Sequence, residues 1–266
     1  MKTVPVIVTR PGSDALRWVR ALQARGLKAE ALPLIEITAL PDGAPLQQAW
    51  RELSDYAALM FVSANAVAGF FISNTVETLI NSAQSAPDSG ALGGLRCLAP
   101  GPGTAVALRR VGIPEGWIDA PPADAGQFDS EALWELVGQR PWQRRRVLIV
   151  RGESAAGGSP GRDWLARQWE AAGARVDFVV VYQRRAPVFT LLELQRIQAG
   201  AHDGSVWLLS SSEAVAHLPS GDWSQARAIA THPRIAQAAR ALGWGVVVPS
   251  RPALEDIVAS IESIAP

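Results

Sequence analysis

Short runs of apolar residues alternate along the chain with longer segments in which apolar positions recur every three or four residues. Val4–Thr9 is a run of the first kind. Leu16, Val19 and Leu22 then fall on one face of a predicted helix, and Gly26 is a residue at which such a helix ends. Repeated alternation of this kind predicts an α/β protein with largely parallel sheets and helices on both faces.

The same reading applied to the rest of the chain gives the remaining elements and their ends. Ser13 and Asp129 are predicted to cap helices, and Ser210 with Glu213 has the spacing of a capping box. The predicted strands are 27–34, 57–62, 95–99, 146–150, 175–182, 205–210, 227–231 and 245–248; the predicted helices are 46–53, 64–73, 103–110, 130–137, 163–172, 191–198, 233–242 and 254–264; and the predicted loops are 82–94 and 152–161.

Three strand-to-helix segments occur twice, in the same order. Each consists of an apolar strand followed by small, hydroxyl-bearing or glycine residues where the next helix begins. The pairs are Val6–Arg10 with Val147–Arg151, Phe61–Val67 with Leu208–Val215, and Arg96–Thr104 with Arg227–Arg234. Open α/β sheets bind ligands at such connections, so the repeat predicts two sheets that act on one ligand.

The composition narrows the class of protein. A chain of 266 residues, 48% of them hydrophobic, is long enough for two cores. Its formal net charge of +0 argues against general affinity for nucleic acid or an anionic membrane. Cys97 is the single cysteine, which excludes an internal disulfide. No apolar run approaches the roughly 20 residues of a membrane span, and no signal-peptide pattern opens the sequence, so we expect a cytoplasmic protein.

Two of the repeated connections, residues 63–65 and 211–213, are typical of sites for carboxylates or phosphates. Free backbone N–H groups meet the positive end of a helix at such a point. Ordinary capping explains the same residues, and their recurrence at equivalent points favours binding. Gly101-Pro102-Gly103-Thr104 and Thr231-His232 form a second pair of turns at which a ligand can approach the backbone closely.

Other kinds of chemistry find little support in the sequence. The three histidines show no metal-ligand spacing, and no serine lies in a Gly-x-Ser-x-Gly elbow, so neither a metal site nor a Ser-His-Asp triad is predicted. Tyr182 ends an apolar strand beside a predicted linker, 184–187. It is either a packing residue or a side chain that reaches into a cleft between two domains.

Taken together, these segments resemble the uroporphyrinogen-III synthase family over nearly the whole chain. No single segment decides the resemblance, but their order and spacing are specific. The segments are Val8–Pro11, Pro33–Ile35, Phe61–Val67, Gly101–Ala105, Phe128–Glu131, Val181–Arg184 and Ser211–Val215.

The resemblance implies two similar α/β lobes, each a mostly parallel sheet flanked by helices, joined by two extended linkers. It also implies that the lobes are interleaved along the chain. Residues 1–35 and 187–266 would form one lobe and residues 38–180 the other, with linkers near 36–37 and 181–186. The sequence alone is equally compatible with two consecutive halves.

The resemblance further implies a cofactor-free enzyme that cyclises hydroxymethylbilane to uroporphyrinogen III. Water is lost and the last pyrrole ring is inverted, through a spirocyclic intermediate. Tyr182 matches the family's implicated tyrosine, and because a phenol is a weak acid we expect it to orient the leaving oxygen. The expected substrate-binding residues are Arg10, Ser63, Ala64, Asn65, Gly101, Gly103, Thr104, Arg151, Gly152, Ser211, Ser212, Thr231 and His232. We expect no metal, and a monomer that receives its substrate from the preceding enzyme of the pathway.

Two other classes of protein stay open at this point. A two-lobed protein that binds an anionic tetrapyrrole without turnover, or a regulator derived from the family, would share the same turns and linkers. A dinucleotide-dependent oxidoreductase is disfavoured because the glycine spacing of its fingerprint is missing.

Overall fold

The computed structural model describes residues 4–40, 43–84, 94–122, 125–155 and 163–264. The strands are β1 (Pro5–Val8), β2 (Lys28–Ala31), β3 (Glu36–Thr38), β4 (Tyr56–Phe61), β5 (Arg96–Leu98), β6 (Ile118–Asp119), β7 (Arg146–Ser154), β8 (Arg175–Arg185), β9 (Val206–Leu209), β10 (Arg227–Ala230) and β11 (Val246–Pro249). The α-helices are α1 (Gly12–Gln23), α2 (Ala44–Arg51), α3 (Ala64–Phe70), α4 (Val76–Gln84), α5 (Pro102–Arg110), α6 (Ser130–Val137), α7 (Asp163–Ala171), α8 (Leu191–Gly200), α9 (Ser212–Ala216), α10 (Pro233–Ala241) and α11 (Leu254–Ile264).

The chain divides into two compact units. The first unit comprises Met1–Ile37 and Arg185–Pro266, and the second comprises Thr38–Arg184. The first unit is therefore built from both ends of the chain. The two crossings between the units lie at β3 and at the end of β8.

The sheet of the first unit has the strand order β11-β10-β9-β1-β2, and its neighbouring strands pair in parallel. Its central strands are apolar along their whole length because both faces are covered. Ile7 and Trp207 pack into a core with α8, α9 and α10, whereas Val6 and Val8 pack into a second core with α1 and α11.

The sheet of the second unit has the order β3-β8-β7-β4-β5-β6. Its strands β8-β7-β4-β5-β6 pair in parallel. Trp142 and Trp169 are fully buried between this sheet and the helices α6 and α7. Asp119, at the end of β6, accepts hydrogen bonds from Arg96 at 2.8 and 2.7 Å and from Arg140 at 2.6 and 2.8 Å. These two bidentate pairs tie β5 and the end of α6 to the edge strand.

The two sheets repeat the same strand order. Reading β2-β1-β9-β10-β11 in the first unit against β8-β7-β4-β5-β6 in the second places every repeated segment of the sequence on an equivalent strand. Thus β1 corresponds to β7, β9 to β4 and β10 to β5. The sequence repeat therefore reflects two sheets with the same strand order. Among the equivalent strands, the chain forms β1 first in one unit and β4 first in the other.

Several predicted element ends are wrong. Ser13 does not cap α1, since the residue before the helix is Pro11 and it makes no side-chain cap. Leu16 is 53% exposed, and Ala15 takes its place on the buried face. Ser211 caps α9, in place of the predicted Ser210. Asp129 caps α6 as predicted, accepting from the backbone N–H of the third residue beyond it.

The largest differences concern elements that the sequence did not reveal. The helix α4 and the short strand β6 were not predicted, and α4 runs through Gln84 into the predicted loop 82–94. The rest of that loop up to residue 93, and residues 156–162, lie outside the described residues. β7 continues to Ser154, so Gly152 lies in a strand and not in a turn, and β8 continues into the predicted linker 184–187 as far as Arg185.

Candidate functional site

Each sheet has one point at which the direction of strand addition reverses. In the first unit this switch point lies between β1 and β9, and in the second between β4 and β7. Helices leave neighbouring strands on opposite faces at such a point, which opens a crevice at the carboxyl ends of the strands. Eight of the fourteen predicted site residues lie in or shortly after these four strands, so each unit has one candidate site.

In the second unit, Tyr182 lies directly against the backbone of the neighbouring strand β7. A Cβ added to Gly152 would be 2.2 Å from both Cε2 and Cζ of the tyrosine ring. Gly152 is not one of the described glycines that have a positive φ. The backbone conformation therefore does not require glycine here; the lack of space beside the ring does. Tyr182 is 4% exposed. The structure therefore brings together two residues that the sequence named separately.

A β-bulge in β8 sets the direction of the Tyr182 side chain. Arg151 pairs with Val180 but Gly152 pairs with Tyr182, so Val181 is an extra residue on β8. Val181 packs against Gly69 of α3, where a Cβ would be 2.9 Å from its Cγ2. The side chains of two successive residues thus both contact elements of the same site, which regular alternation along a strand would not allow. No signal in the sequence marked this bulge.

Ser63 completes the crevice of the second unit. It caps α3, and its Oγ accepts a hydrogen bond from the backbone N–H of Ala66 at 3.2 Å. The same Oγ lies 3.1 Å from the phenol oxygen of Tyr182. Across β8, β7 and β4, the residues Tyr182, Gly152 and Ser63 therefore form a continuous line at one edge of the sheet. Ala64 and Asn65 form the first turn of the seven-residue helix α3.

The next connection in this unit is the turn into α5. Gly101 precedes the helix, and a Cβ on it would be 3.3 Å from Cβ of Phe128. Gly103 and Thr104 lie within the first turn of α5 and not in the preceding loop, and Thr104 is 6% exposed. Within this predicted turn, Pro102 is exposed, Gly101 and Gly103 are half-buried, and Thr104 is buried.

Two arginines lie on the strands that carry this contact: Arg151 precedes Gly152 on β7, and Arg184 follows Tyr182 by two residues on β8. The guanidinium carbon of Arg151 lies 4.4 Å from the ring centroid of Phe178, and that of Arg184 lies 6.0 Å from the ring centroid of Tyr182. Arg184 is 7% exposed. The sequence predicted a linker at Arg184, so its position beside Tyr182 was not predicted. Residues two apart on a strand lie on one face. A predicted strand two residues longer would therefore have placed the two side chains together.

In the first unit, Arg10 follows β1 and folds back onto α1. One of its terminal nitrogens donates to Asp14 at 3.1 Å, and its guanidinium carbon lies 4.6 Å from the ring centroid of Trp18. Burial lowers the pKa of Arg10, and the charge of Asp14 opposes that shift. Its Nε is buried without a hydrogen-bond partner among the described residues. A buried donor of this kind favours binding of an anion.

Three further candidates in this unit, Ser211, Thr231 and His232, have side chains that hydrogen-bond to backbone groups. Ser211 accepts from the N–H of the third residue beyond it at 3.3 Å, and Ser212 opens the five-residue helix α9. The Thr231 hydroxyl donates to the carbonyl of Leu209 at 3.4 Å. His232 caps α10, its Nδ1 accepting from a backbone N–H at 3.1 Å, which places the ring proton on Nε2. The connections that follow β1, β9 and β10 lie on neighbouring strands of the first sheet.

A family model described as uroporphyrinogen-III synthase HemD matches residues 17–259. The chain belongs to the uroporphyrinogen-III synthase family. Membership confirms the family resemblance and the function predicted from the sequence, and it implies hydroxymethylbilane as the substrate. Nothing in these comparisons favours a binding protein without turnover.

Solved members of the uroporphyrinogen-III synthase family share the fold. A mutant uroporphyrinogen III synthase from Thermus thermophilus is 17% identical, with 98% of this chain and 98% of that chain covered and a TM-score of 0.54. The enzyme from Helicobacter pylori is 16% identical, with 98% and 99% covered and a TM-score of 0.50. At this level of identity the likeness concerns the fold, and it confirms the predicted α/β class with two mostly parallel sheets.

Other features of the described residues do not add a further candidate site. A cavity of about 640 Å³ at the start of α6 is lined by Asp129, Glu131 and Glu135, whose carboxylates would repel the acidic substrate of a uroporphyrinogen-III synthase. No group of three or more His, Cys, Asp or Glu side chains is placed to hold a metal ion in the part of the chain that is described. Within the same residues, no helix has the length and apolar character needed to cross a bilayer.

Proposed function

We propose that this chain cyclises hydroxymethylbilane to uroporphyrinogen III without a cofactor, and that Tyr182 acts on the hydroxyl group that leaves as water. The position of Tyr182 carries the proposal. Its ring lies over Gly152 at the switch point of the second unit, and its phenol oxygen is 3.1 Å from Ser63 Oγ. The contact with Gly152 fixes the ring, and the ring in turn fixes the phenol oxygen beside Ser63.

The reaction depends weakly on an acid catalyst and strongly on how the substrate is positioned. The electron-rich terminal pyrrole expels the hydroxyl of its hydroxymethyl group, the C–O bond breaks, and the departing oxygen gains a proton to become water. The exposed methylene carbon then forms a C–C bond to the substituted carbon of the last pyrrole, which gives the spirocyclic intermediate. The bond from that carbon to its original methylene bridge breaks, and the freed bridge carbon bonds to the unsubstituted carbon on the other side of the same ring. That carbon loses its proton, and the ring is thereby inverted. A hydrogen bond from the phenol to the departing oxygen supports the first step, and such assistance typically contributes about 10²–10⁴-fold.

Closure without inversion starts from the same cation, which is the species left after the hydroxyl group departs. Formation of the inverted product therefore depends on how the bilane is folded. Well-oriented intramolecular reactions gain roughly 7–11 kcal/mol from positioning. We assign this task to the binding residues at the carboxyl ends of the strands and at the starts of the following helices in the two units, which we take to be the two lobes of the family. In the first unit they are Arg10, Ser211, Ser212, Thr231 and His232, and in the second Ser63, Ala64, Asn65, Gly101, Gly103, Thr104, Arg151 and Gly152.

Charge supports this assignment of carboxylate binding. Arg10 keeps a buried Nε without a partner among the described residues, and the guanidinium of Arg151 is held against an aromatic ring. Guanidinium groups pair bidentately with carboxylates, and the substrate carries acetate and propionate groups on every ring. We further propose that the enzyme acts as a monomer in the cytoplasm and takes its substrate from the enzyme that makes it.

The test supplies freshly generated hydroxymethylbilane and separates the porphyrin isomers after oxidation. We expect the type III isomer in excess, whereas hydroxymethylbilane with heat-denatured protein closes to type I. Calorimetric titration of the protein with a stable linear tetrapyrrole, run in parallel, detects binding alone. Binding together with type I as the sole product would contradict the proposed enzyme and support a binding protein.

A further inference from the structure

We propose that Ser63 is a positioning residue that donates its hydroxyl proton to the phenol oxygen of Tyr182, so that the phenolic proton is left for the departing oxygen of the substrate. The inference rests on the proposed function and specifies the direction of one hydrogen bond within it. It gives Ser63 a role that acts through Tyr182, in place of direct contact with a substrate carboxylate.

The polarisation of the Ser63 hydroxyl favours this direction. A serine hydroxyl has one proton and can accept through its lone pairs. Ser63 Oγ already accepts from the backbone N–H of Ala66 at 3.2 Å, and the phenol oxygen of Tyr182 lies 3.1 Å away. A hydroxyl that accepts a hydrogen bond is polarised and becomes a better donor to the next group. Polarisation therefore favours a chain of donation from Ala66 N–H to Ser63 and on to Tyr182.

The opposite direction would defeat the proposed chemistry. If Tyr182 donated to Ser63, the phenolic proton would point into the protein and could not stabilise the oxygen that leaves. The ring itself has little freedom to compensate, because its Cε2 and Cζ lie against Gly152. The group at residue 63 thus decides where the phenolic proton points.

Kinetics distinguish a role through Tyr182 from direct binding. For Ser63→Ala we expect kcat for type III formation to fall about tenfold, the equivalent of one hydrogen bond, with KM within about twofold. Ser63→Thr keeps the hydroxyl and should restore most of kcat. In a Tyr182→Phe background, Ser63→Ala should have no further effect on kcat, since the group it positions is gone.

A matched control separates this effect from the loss of a helix cap. Thr190 caps α8, where its side chain accepts from the N–H of Glu193, and it is outside the proposed site. Thr190→Ala should lower thermal stability as Ser63→Ala does, yet leave kcat unchanged. A fall in kcat for Thr190→Ala equal to that for Ser63→Ala would mean that cap loss alone explains the result, and the inference would be wrong.

A spectroscopic measurement tests the hydrogen bond without turnover. The chain contains two tyrosines, Tyr56 and Tyr182, so protein labelled with [13Cζ]tyrosine gives two signals, assigned with Tyr182→Phe. Ser63→Ala should shift the Tyr182 signal and leave that of Tyr56 in place, and Ser63→Thr should return it. An unmoved Tyr182 signal would overturn the inference.

The outcomes also separate this inference from the proposed function. Type I product from the wild-type protein would reject the function, and the labelled tyrosine would still report whether Ser63 is bonded to Tyr182. An equal loss of kcat for Ser63→Ala with and without the phenol, or a change in KM alone, would show that Ser63 contacts the substrate directly and would reject the positioning role.

Discussion

Replacement of Gly152 by alanine is the sharpest perturbation that the structure offers. The added Cβ would lie 2.2 Å from two atoms of the Tyr182 ring, more than 1 Å inside the roughly 3.5 Å of an ordinary carbon contact. Both atoms belong to a rigid ring, so either the ring leaves its position or the strands separate. Overpacking of this kind typically costs about 1–3 kcal/mol. For about 2 kcal/mol, the midpoint of thermal unfolding should fall by about 4–8 °C in a domain of this size.

Activity should fall with stability, because the displaced ring carries the phenol away from Ser63. We expect type III formation by Gly152→Ala to be at least as slow as that by Tyr182→Phe. Gly116→Ala is the matched control, since no atom lies within 4 Å of the added Cβ in the same unit. It should leave both rate and unfolding midpoint close to those of the wild type.

A second background reverses the sign of the effect. With Tyr182→Ala the space above residue 152 is empty, and Gly152→Ala should then be neutral or stabilising by about 0.5–1 kcal/mol, the usual advantage of alanine over glycine within a strand. The double-mutant cycle is measured by urea or thermal unfolding. A Gly152→Ala protein as stable and active as the wild type, or an equal cost in both backgrounds, would refute the contact between ring and backbone.

Three further predictions concern titratable groups of the second unit. Burial raises the pKa of Asp119, but hydrogen bonds from its two arginines outweigh this effect and leave the pKa lowered. Asp119→Asn should therefore lower the free energy of unfolding by about 3 kcal/mol at pH 7. The difference from wild type should narrow as the pH falls below about 4, and a constant difference would contradict the prediction. Burial raises the pKa of the Cys97 thiol to about 12, so a thiol reagent at pH 8 should label it only after unfolding. Burial and the charge of Asp177 raise the pKa of Tyr56 to about 12, so its 13Cζ signal should not titrate below pH 11, and stability should decline between pH 10 and about 12 as the unfolded state gains the charge.

Local patterns in the sequence were sufficient to predict the class of fold. Apolar runs such as Val6–Val8 have to be strands buried on both faces, and the periodic segments between them have to cover those faces. The repeat of three segments also carried over to the structure, since each pair lies on equivalent strands of the two sheets. What determined these features was hydrophobic periodicity, which is a property of neighbouring residues.

The parts that the sequence missed depend on contacts between distant residues. Gly152 read as the start of a turn because glycine is common there, but it lies in β7 to make room for a ring 30 positions later. The bulge at Val181 follows from the pairing of β7 with β8, and α4 lay next to a stretch rich in small residues that masked its periodicity. Arg184 was missed for the same reason as Gly152, because propensity alone ended the strand too early.

The most direct measurement of the central claim compares Tyr182→Phe with the wild-type protein in both rate and product. If Tyr182 assists departure of the hydroxyl while other residues fold the bilane, Tyr182→Phe should form product at least about 10²-fold more slowly than the wild type. It should still yield the type III isomer, with a near-normal unfolding midpoint. Wild-type rate in the absence of the phenol would contradict the account, as would a product that changes to type I while the rate is maintained.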